Sequence, residues 1–251
     1  MGEPEIFEKI VSATRAYFKK AGVQSAVVGL SGGIDSSLVA KILVEALGKG
    51  HVFGIIMPVD KNKDNANAVD AQNLANLLGI KCELVEIGAP VARFENLPWK
   101  QTKISKANVA ARIRMATLYN FANAHNCLVA GTGNRSEALL GYATKYGDLG
   151  CDILPIAAIY KTQVFAIAKA VGLPEKIISK APSAGLWDGQ TDEGELGAPY
   201  SELDKILVAL FDKKRPAAEV KRDFSPQLVE RVLERNRVNA HKLEFPFAVK
   251  I

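Results

Sequence analysis

The chain has 251 residues, 48% of them hydrophobic and 24% charged, with a formal net charge of +5. This composition is typical of a globular protein and provides enough apolar residues for the core of one large α/β domain. The basic excess is small and spread along the chain, without the dense Lys/Arg runs of a nucleic-acid-binding tail. We therefore expect no nucleic-acid partner.

Cysteine usage and hydropathy narrow the class further. The three cysteines, Cys82, Cys127 and Cys151, form no C-x-x-C pair. We expect neither a disulfide framework nor a zinc site, and we predict a cytoplasmic protein. The amphipathic N-terminus lacks the apolar segment of a signal peptide, and no run of about eighteen apolar residues is present to span a membrane.

Apolar periodicity predicts alternating strands and helices along most of the chain. Helices are expected over 5–20, from residue 38, and over 62–78, 105–124, 162–172, 201–211 and 225–239, and strands over 26–30, 51–57, 81–87 and 126–131. Such alternation is typical of an α/β fold with a doubly wound parallel sheet and helices on both faces. No linker or repeat interrupts the pattern, so we predict a single domain, 1–251.

Three stretches lack periodicity and are predicted to be irregular: 90–102, the loop 141–152, and 177–199. The last is the longest, and long loops in compact domains are often functional lids. We expect 184–198 to form a lid, so that deleting 187–196 lowers turnover. Within it, Asp192 and Glu193 are compatible with metal binding, with a latch for the lid or with simple solvation.

The stretch AVVGLSGGIDSS at 26–37 predicts a buried strand, a glycine turn and the start of a helix. This arrangement directs backbone N–H groups and the positive end of a helix dipole at one point. Gly32 and Gly33 have no Cβ, so a ligand can approach their backbone closely. The hydroxyl groups of Ser31, Ser36 and Ser37 add donors, and the sequence therefore predicts a phosphate site.

Asp35 follows the two glycines directly. A carboxylate beside phosphate repels it unless a cation lies between them, and Mg²⁺ is commonly held by one or two carboxylates and phosphate oxygens. The alternative is that Asp35 only stabilises the first helical turn through the helix dipole. Within this turn we favour the metal.

A second strand-to-helix turn has the sequence GTGN at 131–134, followed closely by Glu137. The carboxyl ends of parallel strands share one edge of the sheet, so both turns are expected to face one pocket. Glu137 could be an exposed residue of the first helical turn. Its parallel with Asp35 favours two carboxylates that share one Mg²⁺.

Spacing alone does not decide whether several cationic residues belong to the site. Arg112 and Arg114 are two residues apart on one predicted helix, so they cannot share a face and at most one enters the site. His241 and Lys242, near the end of the sequence, are compatible with an ordinary exposed tail.

The heptad SGGIDSS matches the signature of the PP-loop ATP pyrophosphatase superfamily, and neither a Walker loop nor a G-x-G-x-x-G fingerprint is present. GTGNRSE, GYATKYGDLGCDILPI, YKTQV, KAPSAGL, DEGELG-x-x-Y and the terminal HK follow in order, between residues 29 and 242. Together these motifs resemble the ammonia-dependent NAD⁺ synthetase family.

The resemblance implies a ligase that completes NAD⁺ biosynthesis. In this family the nicotinate carboxylate of deamido-NAD⁺ attacks the α-phosphorus of ATP, which gives an adenylate and pyrophosphate. Ammonia then displaces AMP and leaves the carboxamide of NAD⁺. The resemblance also implies Mg²⁺ as cofactor, and a homodimer in which long helices pack together, with 105–119 as the candidate helix here.

Site residues follow from the same resemblance, position by position. It assigns the ATP-binding positions to Gly29, Leu30, Ser31, Gly32, Gly33, Ile34, Asp35, Ser36, Thr132, Lys161 and Ser183. It assigns Mg²⁺ to Asp35 and Glu137, and deamido-NAD⁺ to Arg112, Lys145, Asp152, His241 and Lys242. GTGNRSE differs from the GTDHAAE form of bacterial members, and Asn134 receives no role.

Ammonia is expected as the nitrogen source, because only about thirty residues precede the phosphate turn, too few for a glutaminase domain. Two other functions remain alternatives. The first is another PP-loop enzyme that amidates a nucleotide or thiolates tRNA. The second is a nucleotide-binding module without catalysis, since a fold does not fix a function.

Overall fold

A parallel four-stranded sheet forms the centre of the described part of the chain. The computed structural model describes residues 2–60, 65–183, 185, 189–244 and 246–249. The strand order is β3-β2-β1-β4, with all neighbours parallel. The strands are β1 (Ser25–Gly29), β2 (Val52–Ile56), β3 (Lys81–Leu84) and β4 (Cys127–Ala130). Ile153 adds a single parallel bridge to β4 at Ala130.

Helices connect and cover these strands. They are α1 (Glu3–Ala21), α2 (Ile34–Leu47), α3 (Asn65–Leu78), α4 (Gly88–Ala92), α5 (Lys103–His125), α6 (Arg135–Leu140), α7 (Lys161–Ala170), α8 (Glu175–Ile178), α9 (Asp192–Leu196), α10 (Tyr200–Leu207), α11 (Ala217–Asp223) and α12 (Pro226–Asn239). A π-helical turn, Val208–Asp212, extends α10. Among the described residues, no helix combines the length and the apolar character needed to cross a membrane.

Alternate residues of the strands point to opposite faces of the sheet, and each face is covered by helices. On one face, strand residues such as Val28 pack with α1, α2, α3 and α7. On the other, Val27, Ile55 and Val129 pack mainly with α5. The predicted α/β fold with helices on both faces is therefore confirmed.

A third apolar cluster joins α6, α10 and α12 beside the sheet. Its buried members include Leu140, Leu203, Ile206 and Val229. Because α6 starts immediately after β4, this cluster fixes the helix that follows the second strand-to-helix turn. It also anchors α12, which leads to His241 and Lys242.

The predicted elements are present, but several boundaries differ. α7 begins at Lys161, one residue earlier than expected, and β3 ends at Leu84 rather than at residue 87. The prediction of an irregular 177–199 was wrong in part, because α9 lies within it, and the helix over 217–223 was not predicted. Residues 62–64 of the third predicted helix, and 184 and 186–188 of the predicted lid, lie outside the described residues.

Candidate active site

The first strand-to-helix turn, residues 29–36, leads from β1 into α2. Gly33 is the N-cap of α2, and no side chain caps this helix end. The backbone N–H of Gly33 donates to Ser31 Oγ at 3.2 Å, and the hydroxyls of Ser31 and Ser36 are 3.1 Å apart. Gly32 has φ +74°, a left-handed conformation that favours glycine. Uncapped amides and hydroxyls thus surround the start of a helix, as a phosphate site requires.

The second turn, residues 131–137, leads from β4 into α6 and is capped by its own side chains. Asn134 is fully buried, and its Oδ1 accepts from the N–H of Glu137 at 3.0 Å. Glu137 Oε2 in turn accepts from the N–H of Asn134 at 3.2 Å. This reciprocal capping box fixes the Glu137 carboxylate at the helix start.

Side chains from both turns meet at the ammonium group of Lys161. Lys161 Nζ lies 2.5 Å from Asp35 Oδ2 and 3.3 Å from Glu137 Oε1. Asn134 Nδ2 donates to Asp35 Oδ1 at 3.0 Å, which links the turns directly. Because β1 and β4 are adjacent, the two turns lie side by side at one edge of the sheet, as the sequence predicted.

The start of α7 places Lys161 in the interior, where its side chain is 2% exposed. The backbone N–H of Lys161 donates to Ser136 Oγ at 2.9 Å, and Ser136 donates to Asp204 at 2.5 Å. The second oxygen of Asp204 accepts from the backbone N–H of Thr162 at 2.8 Å. Helices α6, α7 and α10 are therefore tied together beneath the site.

Burial and neighbouring charges shift the pKa values of this cluster in opposite directions. Burial by itself lowers the pKa of Lys161, but the charges of Asp35 and Glu137 outweigh it and hold the pKa above its ordinary value. Burial raises the pKa of Glu137, and the charge of Lys161 opposes this rise. A buried lysine that stays charged beside two carboxylates is suited to neutralise anionic ligands.

The two carboxylates fit a hard divalent cation. Asp35 and Glu137 already converge on one positive group, and each keeps 19% of its side chain exposed. Mg²⁺ prefers carboxylate oxygens and completes its coordination with water and phosphate oxygens. The described residues contain no cluster of three or more His, Cys, Asp or Glu side chains suited to hold a metal. Two protein ligands plus phosphate oxygens are consistent with this.

A third acidic residue, Asp192, borders the cluster from α9. Asp192 is 3% exposed and accepts a hydrogen bond from the Tyr200 hydroxyl at 3.2 Å. The Tyr200 ring centroid lies 5.4 Å from Lys161 Nζ. Burial raises the pKa of Asp192, and Lys161 opposes the rise. The sequence left Asp192 open between three roles, and the structure places it against the Lys161 cluster rather than in solvent.

Four of the five residues assigned to the dinucleotide lie in a second group, in which hydrogen bonds link α5, the 141–152 loop and the segment after α12. They are Arg112, Lys145, His241 and Lys242. Arg112 donates to the carbonyl of Lys145 at 3.2 Å, and Lys145 Nζ donates to the carbonyl of His241 at 2.5 Å. Lys242 Nζ donates to the carbonyls of residues 141 and 143 at 2.8 and 2.9 Å. By contrast, Arg114 donates to the carbonyl of Met57 at 3.1 Å, at the end of β2.

Asp152 is not part of that group. Its Oδ2 accepts from the backbone N–H of Val129 at 2.7 Å, and its Oδ1 accepts from the Tyr119 hydroxyl at 3.1 Å. The carboxylate thus holds the 141–152 loop against β4 and α5. Of the remaining ATP positions, Thr132 is half-buried in the second turn, and Ser183 is exposed and accepts from the N–H of Gly185 at 3.1 Å.

Asn134 is the residue that sequence reasoning missed. Its buried side-chain amide caps α6 and donates to Asp35, and its backbone N–H donates to the Glu137 carboxylate. A local signal was present, because Asn three residues before Glu at a helix start is a capping-box pattern. The contact with Asp35 had no local signal.

Comparison with known proteins decides the family. The model of the family described as "NAD synthase" matches residues 6–246. The chain belongs to the NAD synthase family. This is a family of ligases, and the resemblance found in the sequence is thereby confirmed.

Individual relatives agree with this membership. The chain is similar to an NH(3)-dependent NAD(+) synthetase from Methanococcus aeolicus, at 49% identity over 84% of each chain. Among solved structures, it resembles NMN synthetase from Francisella tularensis, with a TM-score of 0.87 and 32% identity. It also resembles NH3-dependent NAD synthetase from Campylobacter jejuni in complex with the nitrate ion, with a TM-score of 0.85 and 35% identity. Both structural matches cover 100% of each chain.

Proposed function

We propose that this chain amidates deamido-NAD⁺ with ammonia at the expense of ATP and releases NAD⁺, AMP and pyrophosphate. Membership of the NAD synthase family supports the reaction class. The observation that carries the assignment to this site is the convergence of Asp35 and Glu137, from two turns, on the Lys161 ammonium. The proposed location is the cytoplasm, as the sequence predicted.

The first turn supplies the binding site for the ATP phosphates in this proposal. The amides at the start of α2 and the hydroxyls of Ser31 and Ser36 are the donors, and the helix dipole favours the negative charge. Lys161 contributes a buried positive charge beside them. Thr132 and Ser183 are retained as proposed ATP contacts from the family resemblance.

Asp35 and Glu137 are the proposed Mg²⁺ ligands, and Asn134 holds both in place. When bound, the ion supplies charge neutralisation and orientation for the ATP phosphates. Lys161 occupies the shared position between the carboxylates in the described structure. We infer that its ammonium turns towards phosphate oxygens when the cation binds.

Two bond exchanges make up the reaction. An oxygen of the nicotinate carboxylate attacks the α-phosphorus, the bond to the bridging oxygen breaks, and pyrophosphate leaves. Ammonia then adds to the activated carbonyl carbon, AMP leaves with the former carboxylate oxygen, and one proton is released. Because the carboxylate is a poor electrophile until it is adenylated, the protein contributes mainly positioning and charge neutralisation.

Arg112, Lys145, His241 and Lys242 are the proposed contacts of deamido-NAD⁺. The side chains of Arg112, Lys145 and Lys242 donate to backbone carbonyls, that of His241 among them. These donors can transfer to phosphate oxygens of a ligand. We retain Asp152 only through the family resemblance, since both its carboxylate oxygens accept bonds within the fold.

A homodimer is part of the proposal. Large apolar side chains are exposed before and at the start of α5, among them Phe94, Trp99 and Ile104 at 44%, 62% and 65% exposure. Exposed apolar groups of this size favour association. Light scattering at micromolar concentration tests the assembly, and a monomeric mass would contradict it.

A second candidate substrate is the mononucleotide that carries the same nicotinate carboxylate. The likeness to NMN synthetase from Francisella tularensis over the whole chain supports it. The sequence relative at 49% identity, which bears the name NH(3)-dependent NAD(+) synthetase, favours the dinucleotide. The two substrates differ by an adenylate moiety, so their kcat/KM ratio decides between them.

The decisive experiment follows NAD⁺ formation from deamido-NAD⁺ with ATP, Mg²⁺ and ammonium, and measures AMP and pyrophosphate. Nicotinate mononucleotide and xanthosine monophosphate serve as parallel substrates. We expect deamido-NAD⁺ to be preferred, with one AMP and one pyrophosphate for each NAD⁺. Release of ADP, preference for another substrate, or no turnover with any of the three would overturn the proposal.

A further inference from the structure

A lysine far from the first turn in sequence holds that turn from its outer side. Lys180 follows α8, and its Nζ donates to the backbone carbonyl of Gly32 at 3.0 Å across 148 residues of sequence. The same ammonium donates to Asn67 Oδ1 at 2.9 Å and to Asp70 Oδ2 at 2.8 Å, both on α3. An ammonium has three N–H donors, and all three are used.

The carboxylate of Asp70 holds the Lys180 ammonium in place. Its side chain is 3% exposed, and its second oxygen accepts from Lys176 Nζ at 2.6 Å. Hydrogen bonds from Lys176 and Lys180 hold the pKa of Asp70 below its ordinary value. The buried carboxylate therefore stays charged at neutral pH and fixes the position of Lys180 next to the first turn.

The peptide between Gly32 and Gly33 is the part of the turn that most needs such support. Neither residue has a Cβ, so rotation of this peptide meets little steric resistance. Its carbonyl points to Lys180, and its N–H, on the opposite side of the peptide plane, donates to Ser31 Oγ at 3.2 Å. A flipped peptide would present the carbonyl oxygen to the ligand side and repel phosphate.

The turn also packs tightly against α3 on this outer side. A Cβ added to Gly32 would lie 2.4 Å from the backbone carbonyl oxygen of Asn67. The first turn, α3 and the segment after α8 thus pack together, and Lys180 makes the hydrogen bonds that join them.

We propose that Lys180 is a positioning residue for nucleotide binding: its ammonium keeps the Gly32–Gly33 peptide oriented with the N–H towards the ligand. The proposal deepens the proposed function, since it rests on the first turn as the ATP phosphate site. Lys180 acts through the turn, because its ammonium is held by the Gly32 carbonyl, Asn67 and Asp70 on the outer side.

The chain contains a matched control for this role. Lys176 binds the same Asp70 carboxylate, yet its side chain is 70% exposed and it reaches the other oxygen. Lys176→Met removes one positive charge and one bond to Asp70, as Lys180→Met does, but it leaves the Gly32 carbonyl contact in place. Lys180→Met also removes the bond to Asn67, so a difference between the two variants reports on the contact of Lys180 with the first turn and α3.

The first test is hydrogen–deuterium exchange of the nucleotide-free, full-length protein. We expect amides of 31–36 to exchange about fivefold faster in Lys180→Met and within twofold of wild type in Lys176→Met. Equal exchange in wild type and Lys180→Met would overturn the proposal, as would equal acceleration in both variants. Lys180→Gln serves the same comparison if the Met variant does not fold.

Steady-state kinetics give the second test. Lys180→Met should raise KM for ATP about tenfold, the size expected for one lost charge-assisted hydrogen bond, and leave KM for deamido-NAD⁺ within twofold. Lys180→Arg should restore KM for ATP to within about threefold of wild type. Equal rises in both KM values would overturn the positioning role. If the wild type forms no NAD⁺, the proposed function fails, while exchange still reports on Lys180.

Discussion

The two strand-to-helix turns have similar sequences and adjacent strands, but they satisfy their backbone groups in opposite ways. The first turn begins α2 at Gly33 without a side-chain cap. The second begins α6 at Asn134, with a full capping box. Free N–H groups suit an anion, whereas a self-capped turn leaves a carboxylate to face a cation. Under the proposed function, the pair therefore divides phosphate and metal binding between two neighbouring helix ends.

Asp35 is the exception that connects them, because it is a carboxylate on the turn proposed to bind phosphate. It is paired with Lys161 and receives a hydrogen bond from Asn134 of the other turn. Without a cation beside it, its charge would oppose phosphate binding. Replacing Asp35 is therefore the most severe way to break the division between the turns.

We expect Asp35→Asn to lower kcat/KM for NAD⁺ formation about 10²- to 10³-fold, because one Mg²⁺ ligand and its charge are lost. The isosteric amide should preserve the fold, as checked by the thermal midpoint and circular dichroism. Pyrophosphate release measures the first step directly. Glu234→Gln is the control. Glu234 is an exposed carboxylate, and its salt bridge in the described structure is to Arg237. Wild-type activity in Asp35→Asn would exclude the metal role.

Two variants of Asn134 separate its structural role from its role in the site. Asn134→Ala removes the cap and the contact with Asp35, so we expect a loss of about 1–2 kcal/mol in the free energy of unfolding. The lost hydrogen bond to a charged group should lower kcat/KM about tenfold to thirtyfold. Urea unfolding and steady-state kinetics measure the two effects.

Asn134→Ser keeps an oxygen that can cap α6 but loses the N–H donor to Asp35. Compared with Asn134→Ala, this variant should regain most of the lost free energy of unfolding and little of the lost kcat/KM. If Asn134→Ser regained both in full, the contact with Asp35 would have no role in the site.

Gly33→Asn gives the first turn a side-chain cap like the one that Asn134 provides in the second turn. Gly33 has φ −96°, so the new side chain meets no left-handed strain. We expect a gain of a few tenths of a kcal/mol in stability. The cap would compete with phosphate for the amides of α2, so the affinity for Mg²⁺-ATP should fall about fivefold, as calorimetry would show.

Gly50→Asn is the control for Gly33→Asn. Gly50 precedes β2, away from the carboxyl ends of the strands, and has open space around it. It should leave the affinity for ATP unchanged. An unaltered ATP affinity in Gly33→Asn would mean that the amides of the first turn do not bind phosphate.

The last prediction concerns stability rather than activity, at the support behind the first turn. Asp70 has a pKa lowered by hydrogen bonds from Lys176 and Lys180. A carboxyl group with a lowered pKa in the folded state stabilises the protein above its unfolded pKa, and this stability is lost as the pH falls through the folded pKa. Asp70→Asn should therefore cost about 1–2 kcal/mol near pH 7.

The difference in stability between wild type and Asp70→Asn should begin to shrink below about pH 4, where Asp70 becomes protonated in the unfolded chain, and should continue to shrink as the pH falls through the lowered pKa of the folded protein. Urea unfolding of both proteins at pH 7 and at pH 3.5 or below measures this, and the subtraction removes the titration of all other groups. A difference that does not change with pH would contradict a charged Asp70 in the folded protein.

The sequence by itself determined most of the strands and long helices of this protein and the positions of its two strand-to-helix turns. Apolar periodicity and glycine chemistry act over a few residues, so β1, β4 and the strand-to-helix turns that follow them could be predicted. The same local patterns identified Asp35 and Glu137 as carboxylates at strand ends. The family resemblance, now confirmed, also rested on short motifs.

Only the tertiary structure decided which side chains meet. Lys161 binds Asp35 across 126 residues, and Lys180 binds Gly32 across 148. These contacts depend on β4 lying next to β1 and on α3 packing beside the first turn. No local pattern encodes such an arrangement, because strand order and helix packing come from burial of the whole apolar core.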